Sequence, residues 1–343
     1  MDILNSRELK TRAKEKLSGA ACNHRKLVLI HTGIIVGANI LVGLLQLYLN
    51  HQIGATGGLS GLGTRTILET IQTVLQYAVN LALPFWEIGF LFAALKWARG
   101  EQAGFSHLTE GFRRFGPVLR LYLLEGLIFT GVGMISMYAG AFLFSITPFS
   151  ASMQKLLLPV VESGGSIDAA YAALEALPFE ELLQMFLPAL ILIGVIFGVL
   201  ALVLHYRFRM AQFLVMDQPG TGALMALLVS SRMTKYRRMK LFRLDLSFWW
   251  FYVLVALSGV TMYADVLLGY AGIELAVSAE VLWIGSYLLG CLIQLVIYWQ
   301  FYGYVQTTYA GAYEALRTQP VEQPKPQPAP QNVPWDDTYE TPQ

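Results

Sequence analysis

The chain has 343 residues, of which 55% are hydrophobic and only 14% charged, and its formal net charge is +1. Soluble globular domains carry about 25% charged residues, so this deficit excludes a surface that faces water throughout. A near-neutral total also excludes a global field that would recruit nucleic acid.

Residues 1–26 are mostly polar and contain the first helix signal. Asn5 and Glu8 have the spacing of a capping box ahead of Leu9, Ala13 and Leu17, which repeat at i, i+4, i+8. The first apolar run, 27–49, is 23 residues long. A signal-peptide core spans about 7–15 residues, and no small-x-small cleavage site follows, so the run reads as a retained transmembrane helix. The stretch 54–63 is glycine-rich but follows no strand, which excludes a phosphate loop. The second span, 75–97, is interrupted by Gln76, Asn80, Pro84 and Glu87. Pro84 cannot donate to the carbonyl of Asn80, so a bend is expected there.

Residues 106–115 form an amphipathic segment, with Leu108, Phe112 and Phe115 on one side and Arg113 and Arg114 elsewhere. The third span, 117–144, carries Glu125. The loop 146–184 sets Glu162, Asp168, Glu175, Glu180 and Glu181 against Lys155, and Asp168 is placed to cap a short surface helix ending near Leu177. After the fourth span, 186–206, Pro219 opens a helix with Leu224, Leu227, Leu228 and Ser231 on one side. Six cations follow within twelve residues: Arg232, Lys235, Arg237, Arg238, Lys240 and Arg243. The fifth and sixth spans are 248–270 and 281–304. Trp86, Trp97, Trp249, Trp250 and Trp299 fall mainly toward span ends, where amphipathic rings favour the interface. The tail, 318–343, holds seven of the fourteen prolines and almost no aliphatic residues, a composition that cannot bury enough surface to fold. Within it, 324–330 favours polyproline II, either as an inert solvated segment or as a ligand for a partner's groove.

Counting Lys and Arg through the seven regions that flank the spans, with Lys96 and Arg120 at span ends assigned to the second connection, gives 7, 1, 5, 1, 8, 0 and 2. Because cationic flanks stay on the cytoplasmic side, this alternation predicts six crossings with both termini cytoplasmic. The predicted fold is all-α. A six-span polytopic membrane bundle over 1–317 is joined by cytoplasmic amphipathic interfacial helices. The unit "basic helix, then membrane hairpin" occurs three times at intervals of about 100–120 residues, which reads either as a threefold repeat or as the pattern of any six-span protein with basic loops. Cys22 and Cys291 are too few for a disulfide framework or a thiolate metal site and read as small buried hydrophobes.

Five stretches resemble a bacterial integral-membrane family of unknown function, DUF975. They are Arg207-Phe-Arg-Met-Ala-Gln-Phe-Leu-Val-Met-Asp217-Gln-Pro219, Ser231-Arg-Met-Thr-Lys235, Lys240-Leu-Phe-Arg-Leu-Asp245-Leu-Ser-Phe248, Thr308-Tyr-Ala-Gly-Ala-Tyr313-Glu314-Ala-Leu316, and the opening 7–17. The likeness covers most of 1–317. Tyr236 stands where the family tends to have glycine, so the turn after Lys235 is expected to differ. The resemblance implies a multi-pass protein of the bacterial cytoplasmic membrane and supplies neither an activity nor catalytic residues.

Two constellations remain as candidate sites. Glu87 and Glu125 are carboxylates inside spans, which are functional hypotheses by default. With Asn80 on span two, and Asn39 and Gln46 sharing a face of span one with His31 off that face, they predict a polar seam. It reads either as a proton or solute path or as polar glue between helices. A short connection makes spans two and three expected neighbours, so the two carboxylates are expected to approach each other. The second constellation is the run Arg232, Lys235, Arg237, Arg238, Lys240 and Arg243, which reads either as an anionic-lipid contact or as topology alone.

The five histidines show no metal-ligand spacing, and no nucleophile elbow or Walker motif is present. No cofactor is implied. The expected partners are the bilayer, its anionic headgroups and a membrane protein, with no nucleic acid. The leading expectation is a non-enzymatic, lipid-interacting or accessory membrane component. The alternatives are a small transporter or proton-coupled permease using Glu87 and Glu125 and, more weakly, a membrane-embedded enzyme acting on lipid intermediates.

Overall fold

A computed structural model describes residues 4–19, 24–55, 62–148, 150–151, 154–155, 158, 179–218, 220–270, 272–273 and 278–318. Among these residues there are helices and no strand. In chain order they are α1 (Ser6–Gly19), α2 (His24–Ala55), α3 (Leu62–Ala98), α4 (Phe105–Leu108), α5 (Glu110–Arg113), α6 (Phe115–Ser145), α7 (Phe179–Phe208), α8 (Ala211–Asp217), α9 (Ala223–Thr234), α10 (Arg238–Leu246), α11 (Trp249–Met262), α12 (Ala264–Tyr270) and α13 (Ala279–Arg317). Long helices suit this composition because hydrocarbon offers no partner for a backbone N–H or C=O, and a helix pairs them internally.

Among the described residues, five helices are long and apolar enough to cross a membrane: α2, α3, α6, α7 and α13. The fifth expected span, 248–270, is not a single helix. α10 meets α11 at a bend of 59°, and Tyr263 separates α11 from α12. α11 alone, with 14 residues, rises about 21 Å at 1.5 Å per residue, so a crossing near 30 Å needs α12 as well. Several helices also outrun their spans. α3 begins at Leu62 and continues through Pro84 to Ala98. α13 has 39 residues, or about 58 Å, so its last third projects well beyond a bilayer core.

That projection enters the best-packed part of the molecule. α1 packs on α13, α3 and α10; α4 and α5 lie on α3; α8 lies on α3, α6 and α9; α9 packs on α7 and α6. Together they form a platform at the end of the bundle that carries the three basic regions. Its core holds fully buried Trp97, Leu108, Met210, Phe248 and Tyr313. The close approach of α3 to the short α4–α5 pair depends on two glycines. A methyl group at Gly89 would fall on the carbonyl oxygen of Leu108, and one at Gly111 would fall on that of Phe85.

The expected amphipathic faces need correction in detail. In α1, Leu9, Ala13 and Leu17 are buried as the pattern predicts. Asn5 Oδ1 accepts from the N–H of Arg7 at 3.1 Å, but Glu8 turns to Arg12 instead of closing the box. The segment after α3 is two one-turn helices; Leu108 is buried, while Phe112 and Phe115 remain exposed beside Phe85. On α9 the buried face is Ala223, Ala226, Leu227, Ser230 and Thr234, and Leu224 and Leu228 point outward. Trp86 and Trp97 are platform core and not interfacial rings, whereas Trp249 and Trp299 are exposed. Cys291 is buried. Cys22, the helix expected after Asp168 and the tail beyond Thr318 lie outside the described residues.

Candidate functional site

The three hairpins do not pack equally. α13 lies against α2, α3 and α11, so the first and third hairpins form one group. α6 and α7 pack along each other and reach that group mainly through α8, α9 and α10. A cavity of about 530 Å³ opens where the second hairpin stands off, and Glu87, Glu125, His205, Arg209, Gln212, Asp245 and Tyr309 are among the residues lining it. Glu87 and Glu125 therefore do share a space. The expected reason was wrong, because α3 and α6 touch only briefly and the cavity is what joins the two carboxylates.

Polar groups from α6, α7, α8, α10, α11 and α13, with Arg209 between α7 and α8, hold the platform side of this cavity. Arg209 pairs with Asp245, and the Tyr206 hydroxyl donates to Asp245 Oδ2 at 2.7 Å. The guanidinium lies 4.1 Å from the ring centroid of Tyr309, whose hydroxyl meets that of Tyr252 at 2.7 Å. Gln212 hydrogen-bonds Glu125. The pair Arg209–Asp245 is mostly buried, so removing one partner would strand a charge in a poorly solvated place.

A second cavity, about 520 Å³, lies on the other side of Glu87, lined by His31, Asn80, Glu87, Tyr122, Gln294, Tyr298 and Tyr302 among others. Glu87 lines both cavities. Its Oε1 accepts from the Tyr302 hydroxyl, and its Oε2 stands 3.3 Å from Nε2 of His31. The imidazole is fully buried, stacked on Phe90 at 4.2 Å and Tyr302 at 5.7 Å, and neither ring nitrogen has a hydrogen-bond partner. Asn80 at the rim accepts from Gln76 at 3.0 Å, and Gln76 accepts from Gln46 at 2.8 Å. Gln46, Gln76 and Asn80 thus form a hydrogen-bonded chain that ends at the cavity Glu87 lines. Asn39 is exposed, and its backbone carbonyl accepts from Tyr287 at 2.9 Å and not from a member of that chain.

Away from the cavities, the basic cluster spans the end of α9, the following turn and α10. Arg232, Lys235 and Arg243 are exposed, while Arg237, Arg238 and Lys240 are half-buried. Leu224, Met225, Leu228 and Met239 are exposed on the same two helices, and Tyr236 in the turn between them. A separate ion network closes the platform. Arg99 bonds Asp217 and Glu314, each at 2.5 Å, and Asp217 also accepts from Arg317 at 2.5 Å and from Tyr313 at 2.9 Å. Although burial alone would lower it, the hydrogen bonds and charges of Asp217 and Glu314 hold the Arg99 guanidinium above its ordinary value. Burial, with Lys14 nearby, draws the Lys10 ammonium below its ordinary value; it donates to the carbonyl of Ser247 at 2.6 Å.

Sequence reasoning missed Arg209, Asp245, Asp217 and Glu314. One signal for the first three was available: 207–247 holds eight cations and only two carboxylates, Asp217 and Asp245. Acids so outnumbered are the natural internal partners of neighbouring cations. The stretches that carried the resemblance meet here, 207–219 against 240–248 through Arg209–Asp245 and against 308–316 through Asp217–Tyr313.

The model of the family described as "Protein of unknown function (DUF975)" matches residues 1–320, and the chain belongs to that family. No curated protein and no solved structure matches it.

Proposed function

We propose that this DUF975 member is a non-enzymatic component of the bacterial cytoplasmic membrane that engages anionic lipid headgroups through its platform, with both termini cytoplasmic. One observation carries the reading: α9, α10 and the turn between them expose Arg232, Lys235 and Arg243 together with Leu224, Met225 and Met239. Topology requires only the charges. Exposed apolar side chains interleaved with them suit a surface resting in the headgroup region, where each cation near an anionic leaflet contributes about 1 kcal/mol.

The test compares the purified protein in nanodiscs of zwitterionic lipid with and without phosphatidylglycerol, alongside the triple variant Arg232→Ala, Lys235→Ala, Arg243→Ala. Wild type is expected to gain thermal stability from the anionic lipid and to lose that gain in high salt. A variant that keeps the full gain would refute the reading. Orientation is tested separately by single cysteines at Gly61, Ser163 and Ile273, which an impermeant reagent should reach from outside the cell.

A second reading, a proton-coupled solute path, draws on the position of Glu87 between two cavities. Glu87→Gln and Glu125→Gln should each abolish pH-dependent flux in proteoliposomes. Wild-type vesicles without flux would end it.

A further inference from the structure

The cavity beyond Glu87 has a composition unlike that of the platform cavity. Glu87 is the one carboxylate among its lining residues, and no Lys or Arg lines it. The rings of Tyr122, Tyr298 and Tyr302 share the wall with the amides of Asn80 and Gln294. Among the described residues, the only ion-pair contact of Glu87 is His31. The platform carboxylates, by contrast, are met by guanidinium groups.

A carboxylate at membrane depth calls for a compensating charge, and the described residues provide only an imidazole whose two nitrogens lack hydrogen-bond partners. Aromatic rings attract cations through their quadrupole, and the combination of rings and a carboxylate selects ammonium groups over neutral molecules of the same shape. The volume, about 520 Å³, lies within the roughly 300–1,000 Å³ of small-molecule sites. Asn80 is exposed, so the polar chain through Gln76 and Gln46 reaches the cavity at its rim.

We propose that this cavity binds an organic ammonium group, held by the Glu87 carboxylate among the rings of Tyr122, Tyr298 and Tyr302. The Tyr302 hydroxyl donates to Oε1 of Glu87, and Nε2 of His31 stands 3.3 Å from Oε2 without a hydrogen bond, so lone pairs on both oxygens are left to the ligand. The ammonium belongs either to a free amine or to the headgroup of an aminolipid. The inference is independent of the lipid contact at α9–α10, since no residue is shared between the two surfaces.

The experiment uses the full chain in phosphatidylglycerol nanodiscs, titrated with choline and with its uncharged carbon isostere, dimethylbutanol. Choline should bind saturably and at least about tenfold more tightly than the isostere, a preference that needs no variant to measure. Glu87→Gln should reduce choline affinity at least about tenfold. Tyr298→Leu should weaken it, and Tyr298→Phe, which keeps the ring, should restore it to within about threefold. Repeating the titration with phosphatidylethanolamine in the disc separates the sources: a weaker apparent affinity assigns the site to an aminolipid headgroup, and an unchanged one assigns it to a free amine. The proposal is overturned if choline shows no saturable binding, if the isostere binds equally well, or if folded Glu87→Gln binds choline like wild type.

Discussion

The platform and the membrane half of the second hairpin are made by the same chain under opposite rules. At the basic end, Trp97, Leu108, Met210, Phe248 and Tyr313 are sealed from solvent as thoroughly as residues in a soluble core. Over the apolar windows of α6 and α7 only 17% and 0% of residues are buried. Water drives the first arrangement, because every apolar side chain left exposed there loses transfer free energy. No such force acts between helices in lipid, whose tails are as apolar as leucine. Those helices need only be long and apolar, and their outward side chains are free to vary in shape.

That contrast predicts where damage is felt most. Trp97→Ala in the platform should destabilise the protein by about 3–5 kcal/mol, whereas Tyr138→Ala on α6, 74% exposed, should stay within about 0.5 kcal/mol. Thermal unfolding of both in one detergent decides it. Equal shifts would mean that the membrane half contributes packing that the exposed faces of α6 and α7 do not reveal.

The platform's charges sharpen the comparison. Arg209→Met leaves Asp245 buried without its cation and should cost about 3–5 kcal/mol. The double variant Arg209→Met, Asp245→Leu should recover most of that loss, because an apolar pair of similar size has no stranded charge. Failure of the second change to rescue the first would show that Tyr206 and Tyr309, not the ion pair, hold this corner. A smaller effect, about 1–3 kcal/mol, is expected for Gly89→Ala, where the added methyl would meet the Leu108 carbonyl. Gly63→Ala, with open space around the same atom, serves as the matched control.

The same difference explains what was legible in the sequence. Span positions follow from length and hydropathy, which lipid reads directly, so 27–49, 117–144, 186–206 and 281–304 fall inside α2, α6, α7 and α13. The break in the fifth span was not legible. Residues 248–270 contain no proline, and the helix breaks at Tyr263, two residues before Asp265; the 59° bend lies just ahead of them, between α10 and α11, where Asp245 pairs with Arg209 and the Ser247 carbonyl accepts from Lys10. The platform was half legible. The spacing of Leu9, Ala13 and Leu17 gives the buried face of α1 because one neighbour set covers it, while α9 is covered on the side of Ala226 and Ser230 by α7 and α6, which a helical wheel of leucines cannot foresee. At the candidate site, the carboxylates stood out as charges within spans. His31 did not, because its relation to Glu87 depends on how α2 packs on α3 and not on its position along α2.

The weakest expected effect lies at the platform's edge and tests how sharply its stability falls off. The Lys96 ammonium donates to Glu101 at 2.6 Å and holds that carboxyl below its ordinary value. A carboxyl depressed on folding contributes stability that is complete above the unfolded value near 4.5 and is lost as pH falls through the lower folded value. With Glu101 half exposed, solvent screening limits the contribution to about 1 kcal/mol or less. Unfolding of wild type and Glu101→Gln, followed from pH 7 into the acid range, should therefore converge below that window and diverge slightly above it. A gap that persists or widens in acid would instead assign the effect of Glu101 to packing beside Lys96, and the platform's ordered region would extend one turn further than its buried core suggests.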